Sequence, residues 1–240
     1  MAVTVGTFSQ YAGTDELTSG SFTYPHTHDT NSGIVVCIQW TEIILSALGV
    51  SLDAMAYAGF DLERVGQKLV GSLKVEIWAF MAVTNSGTND LELTWGTDLT
   101  GAVSYTMQIF SANGRPTAIG DVQDATGSST DPEVTITSIA TTSLVVNSLG
   151  VVNGLAGDTT LTADDNDPGA GVDTEIAQDA AGTGVSRLQG GSLGGVGVPG
   201  SRVTGWTLGA SRSWGQVACE IIDEQLQDVI GAFGVIPTAR

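Results

Sequence analysis

The chain has 240 residues, with 8 Lys or Arg against 26 Asp or Glu, a formal net charge of −18. Eight scattered bases cannot line a groove that displaces counterions from phosphate, and the same deficit argues against nucleic acid and against an anionic membrane as partner. Charged residues nevertheless make up only 14% of the chain and hydrophobic ones 42%, which excludes an acidic disordered tail and leaves enough apolar surface for a core.

Residues 1–20 carry neither the basic start nor the apolar run of a secretory signal and read as an N-terminal arm or strand. Then come short runs rich in Val, Ile and Thr, several of them alternating with period 2: Phe22–His28, Gly33–Trp40, Ser72–Val83, Ala102–Phe110, Pro132–Ile139, Ser143–Leu149 and Trp214–Ile222. Period-2 alternation with dense β-branched content is the signature of half-buried strands. In Ser72–Val83, Leu73, Val75 and Ile77 fall on one face and Lys74, Glu76 and Trp78 on the other. Helix is scarce; Glu42–Val50 and the tail are ambiguous, and Gly231 and Gly234 weaken the tail's helical pattern. Glycine is 32 of 240 residues, and between the apolar runs it joins Ser, Thr, Asn and Asp in turn chemistry. No internal repeat is visible.

The expected fold is all-β, an antiparallel β-sandwich of jelly-roll type, with a Gly-rich loop region (154–200) and a short C-terminal segment. The division is 1–20 as arm or strand, 21–224 as the sandwich, and 225–240 as a contact tail. In that tail Leu226, Val229, Ile230 and Phe233 recur at helical spacing, a stripe that either closes one end of the sandwich or meets a partner. The Gly-rich stretch 182–200 is expected to pack against another subunit, because it cannot build its own core. No run is long enough and apolar enough for a membrane span.

Several groups could carry chemistry. Asp164, Asp165 and Asp167, followed by Asp173, form an oxygen-rich loop that is either simply solvated or binds calcium, although the spacing is not that of an EF-hand. No other cofactor is expected. His26 and His28 lie on one side of an extended strand with Tyr24 beside them; they could hold a transition metal or supply a base, or simply serve structure. Glu76 and Glu220 sit on strands, where a pair of carboxylates could hydrolyse a glycoside, but alternation points both to the solvent face. Trp78, Trp95, Trp206 and Trp214 are either core or a sugar-stacking surface. Gly195-Val196-Gly197-Val198-Pro199-Gly200 fits GxGxxG formally but lacks the βαβ context that a dinucleotide needs. Cys37 and Cys219 lie in apolar runs as buried thiols, joined only if their strands are neighbours.

From Ser21 to Ile222 the order of segments resembles a jelly-roll domain of phage structural and fibre proteins and of bacterial surface proteins. The likeness rests on the early strand Ile34–Trp40 and on Ala56-Tyr57-Ala58-Gly59, where Ala58 replaces a family glycine in a turn. It continues through the aromatic strand Val75–Phe80, the pair Pro132–Ser138 and Ser143–Val146, and Trp214 before Val217–Ile222. The resemblance implies a non-enzymatic subunit on the outside of a virion, made in a host cytoplasm without a signal peptide. It would be a capsid decoration protein or a fibre component. Its partners would be itself, as a homo-oligomeric ring of three, and other virion proteins. A surface-glycan-binding module is the rival expectation, and a polysaccharide lyase or hydrolase a weaker third.

Overall fold

The computed structural model describes residues 3–16, 21–42, 51–83, 86–96, 102–138, 143–152, 162–164, 173–179, 186–193 and 200–223. Every element in them is a β-strand, and every pairing is antiparallel. The first half contains β1 (Thr4–Glu16), β2 (Ser21–His28), β3 (Ser32–Glu42), β4 (Leu52–Tyr57), β5 (Phe60–Asp61), β6 (Glu63–Val70), β7 (Leu73–Val83), β8 (Gly87–Trp95) and β9 (Ala102–Asn113). The second contains β10 (Pro116–Ser129), β11 (Glu133–Ser138), β12 (Leu144–Val152), β13 (Thr162–Asp164), β14 (Asp173–Asp179), β15 (Ser186–Leu193), β16 (Gly200–Thr207) and β17 (Arg212–Asp223).

These strands form four sheets. Sheet I has the order β2-β8-β4-β5, sheet II β1-β9-β3-β7-β6, sheet III β10-β17-β12-β15-β14, and sheet IV β11-β16-β13. The buried side chains show how they stack. Ile34, Val36, Ile38 and Trp40 of β3 and Met107 and Ile109 of β9 meet Met55, Leu91, Leu93 and Trp95 of sheet I. The opposite face of sheet II, with Val35, Cys37, Leu73, Val75 and Ile77, meets Leu144, Val146, Val217, Cys219 and Ile221 of sheet III. Sheet III in turn buries Val145 and Ala218 against Val134 and Ile136 of sheet IV, and Leu149, Val151 and Trp214 against Trp206. The order of layers is therefore I, II, III, IV.

This stacking explains the sequence pattern. Sheets II and III are covered on both faces, so β3, β12 and β17 are buried along nearly their whole length instead of every second residue. Strands covered on both sides read as near-continuous apolar runs, as in IVVCIQW and QVACEII. Strand β8, covered on one side, keeps a clean alternation of exposed and buried positions. Each buried Ile or Leu in the middle layers contributes about 1.5–3 kcal/mol by leaving water.

The all-β antiparallel sandwich expected from the sequence is present. Of the arm or strand read over 1–20, the structure has the strand: β1 is an edge strand of sheet II, paired to β9 along its length. Where it places one sandwich over 21–224, the strands build two, I on II and III on IV. A tight turn joins them between Asn113 and Pro116, in which Gly114 (φ 97°) and Arg115 (φ 59°) are both left-handed. The ambiguous segment 43–50 and the tail 225–240 lie outside the described residues; of the stretch 154–200 read as a Gly-rich loop, the described parts are strands instead, with β13, β14 and β15 paired into sheets III and IV.

Candidate functional site

Strand β2 carries Tyr24, His26 and His28 on one face because successive side chains alternate, and all three are buried between sheets I and II. Each is tied to a different strand. The Tyr24 hydroxyl donates to the Tyr105 hydroxyl on β9 at 2.7 Å. His26 Nδ1 shares a hydrogen bond of 2.9 Å with Ser9 Oγ on β1. The Tyr57 hydroxyl on β4 donates to the His26 carbonyl at 2.7 Å, which leaves its oxygen to accept from Nδ1–H of His28 at 2.9 Å. Both imidazoles stand edge-on to the Tyr57 ring, at 5.9 and 5.4 Å between centroids.

Just beyond β2, Asp29 fastens β1 from the other side. Its carboxylate accepts from the Thr7 backbone N–H, the Asn113 amide and the Thr7 hydroxyl, each at 2.9 Å. These bonds, with the Thr7 N–H foremost, hold its pKa below the usual carboxylate range. The approach requires Gly6, where a Cβ would fall 2.2 Å from Asp29 Oδ2. Strand β1 shifts register between Val5 and Phe8, beside these contacts. Tyr11 completes the seam by donating its hydroxyl to the Pro25 carbonyl.

Burial governs the electrostatics. His26 is 1% exposed, and desolvation, with the neighbouring His28 acting in the same direction, lowers its pKa to about 4 despite Asp29. At neutral pH it is an uncharged ring whose Nε2 has no hydrogen-bond partner among the described residues. The sequence brought His26, His28 and Tyr24 together correctly. Asp29 directly follows His28 in the motif His26-Thr27-His28-Asp29, whereas Tyr57, Ser9 and Tyr105 carried no signal toward this site, because they arrive from other strands and share no spacing with the histidines. Among the described residues no three or more His, Cys, Asp or Glu side chains are grouped to hold a metal ion.

The two strand glutamates correct the alternation argument: both are fully buried, not solvent-facing. Glu76 turns toward sheet I and accepts from Trp40 Nε1 at 3.1 Å and Trp78 Nε1 at 2.7 Å. Desolvation raises its pKa while the two indoles, Arg64 and Lys74 oppose the rise. The Lys74 ammonium lies 4.0 Å from the centroid of Trp40, and the Arg64 guanidinium 5.4 Å from that of Trp78, so two cations cover the outer side of this indole pair. Glu220 lies in sheet III opposite Val145, whose side chain faces sheet IV. The two carboxylates thus belong to different layers and do not form a catalytic pair.

Trp78, Trp95, Trp206 and Trp214 are all buried, which assigns them to the core. Cys37 and Cys219 are free, buried thiols in the layer between sheets II and III, and burial pushes Cys37 up to about 12 and Cys219 higher still. Asp165 and Asp167 lie outside the described residues, as do Leu226, Val229, Ile230 and Phe233. Asp164 and Asp173 are placed by backbone alone, at the end of β13 and the start of β14.

Comparison with models of known protein families found no match, and neither did comparison with curated proteins or with solved structures.

Proposed function

We propose that this chain is a non-enzymatic structural subunit of a phage particle, on its exterior as a capsid decoration or fibre component, acting by packing against neighbouring subunits in a ring of three. The observation that carries the non-enzymatic part is where the reactive side chains have gone. Glu76 is held by two indoles, His28 by Tyr57, and the neutral His26 ring is 1% exposed, so the described candidates hold strands together instead of facing a cleft. The strand order supports the jelly-roll reading. Apart from the pairs β4–β5 and β6–β7, consecutive strands of the first half pass between two sheets, so that β1, β9, β3 and β7 lie side by side in one and β2, β8, β4 and β5 in the other. The virion location rests on the resemblance in the sequence, and the charge of −18 suits an outer surface that repels bare nucleic acid.

Burial of the tryptophans removes the main support for glycan stacking; among the described residues the exposed aromatic that remains is Phe60, stacked on Phe80 at 5.0 Å. Native mass spectrometry of the purified protein tests the proposal. A closed ring of three is expected, and deletion of residues 225–240 should abolish incorporation into particles while the sheets still form. Saturable binding on a glycan array, lost on Phe60→Ala, would replace this reading with the adhesin one.

A further inference from the structure

We propose that the chain is a tandem duplication of one eight-strand unit, and that the face between sheets II and III is a two-fold, dimer-type interface whose fitting partner is a second copy of that unit, here supplied by the same chain. Sheet II runs β1-β9-β3-β7-β6 and sheet III runs β10-β17-β12-β15-β14. Replacing each strand of the first by its counterpart in the second reproduces the order without exception. Sheet I without the two-residue β5, β2-β8-β4, maps in the same way onto β11-β16-β13. The spacing along the chain agrees: Thr4 to Pro116 is 112 residues, Leu73 to Ser186 is 113, and Ala102 to Arg212 is 110. Unrelated sandwiches joined end to end would have no reason to share strand order, sheet assignment and spacing at once.

Around the facing pair β3 and β12 the contact between the halves follows the two-fold pattern that two copies would give, whereas β10 and β17 also lie on β6 with no comparable contact of β1 or β9 on β14 among the described residues. β12 lies on β7 as its counterpart β3 lies on β15, and β17 lies on β7 as β9 lies on β15. At a two-fold interface only residues beside the axis meet their own equivalents. Strands β3 and β12 meet in this way. The Cys37 thiol hydrogen-bonds to Ser148, and Gln39 Cγ lies 3.3 Å from the Cβ position of Gly150. Both pairs are 111 residues apart, the same separation as the fully buried Trp95 and Trp206 in sheets I and IV. The sequence hides the repeat because the outer surfaces and axis residues have diverged: a thiol opposite a hydroxyl, a glutamine opposite a glycine.

The inference is independent of the virion reading and is tested first on the nicked full-length chain and then on its N-terminal fragment. A protease recognition site inserted between Gly114 and Arg115, in the turn joining the halves, allows the folded protein to be nicked. The nicked chain should keep the mass of the intact particle in native mass spectrometry. Separated in urea and refolded alone, the N-terminal fragment should regain strand circular dichroism and run as a dimer of itself, because its sheet II face is built for a copy. Val75→Asp in that fragment should abolish the dimer. A nicked chain that falls apart, an isolated fragment that stays unfolded or folds only as a monomer, or a Val75→Asp fragment that remains dimeric each overturns the proposal.

Discussion

Protonation of His26 is the perturbation whose size follows most directly from the structure. The ring lies between sheets I and II with Ser9 on β1, Tyr57 on β4, and His28 and Asp29 along β2 and its turn as its polar and titratable neighbours, and its pKa is lowered from 6.5 to about 4. A histidine lowered by folding is bound by a proton more readily in the unfolded chain. Stability from this group is therefore complete above pH 6.5, falls as pH drops below it, and stops falling near pH 4. Lowering from 6.5 to about 4 is worth about 3.4 kcal/mol at most, at about 1.36 kcal/mol for each tenfold change in proton affinity. A titration that ends at pH 4.5 stops short of the folded-state value of about 4, so the expected loss over that range is about 2 kcal/mol. Asp29, whose pKa is lowered from 3.8, loses its contribution at more acidic pH, so the two effects separate. Urea unfolding of the wild type and of His26→Gln between pH 7.5 and 4.5 makes the measurement. Changes in carboxylate repulsion are common to both proteins. The wild type should lose about 2 kcal/mol more than the variant over this range, and parallel profiles would refute the assignment of a buried neutral imidazole.

Other substitutions test other layers. Glu76→Gln leaves one of the Trp40 and Trp78 indole N–H groups facing an amide N–H, and should cost about 1–3 kcal/mol in urea unfolding with a change in tryptophan fluorescence. Ala58 holds a left-handed backbone, φ 54°, so Ala58→Gly should raise stability by about 0.5–1 kcal/mol in the same assay. Gly150→Ala places a methyl 2.6 Å from Val75 Cγ2 and 2.8 Å from Leu73 Cδ2, between the two sandwiches. It should cost about 1–3 kcal/mol and lower the melting temperature, whereas Gly59→Ala meets no atoms within 4 Å and pays only for its positive φ.

The sequence was legible where one face of a strand meets water. Phe22–His28 alternates, and that alternation alone puts its three inward rings on one side. It misled where a strand is covered twice. Glu76 stands on the face opposite Leu73, Val75 and Ile77, as read, but that face is roofed by sheet I instead of solvent. Period 2 separates two faces without saying what covers either, and a continuous apolar run such as IVVCIQW is the only local sign that both are covered. The partners of His26 and Tyr24 could not be found in this way, since Ser9, Tyr57 and Tyr105 are brought together by strand order, which no local pattern records.

Two covered faces also create a problem of specificity that apolar packing cannot solve. The interface between sheets II and III is lined by Val, Leu and Ile, which would tolerate a slip of one sheet over the other with little loss. Polar atoms placed at its centre remove that freedom. The Thr106 hydroxyl donates to Gln39 Oε1 at 3.1 Å, and the Gln39 amide donates onward to the Ser148 hydroxyl, a chain from β9 through β3 to β12. Any slip would strand these buried groups, at about 1–3 kcal/mol for each left unpaired. Gly150, one step along β12 on the same face, admits the Gln39 stem and fixes the register from the other side. Gln39→Leu should therefore leave the four sheets formed while broadening the unfolding transition, because it keeps the apolar contact and removes the groups that select one alignment of the two sandwiches.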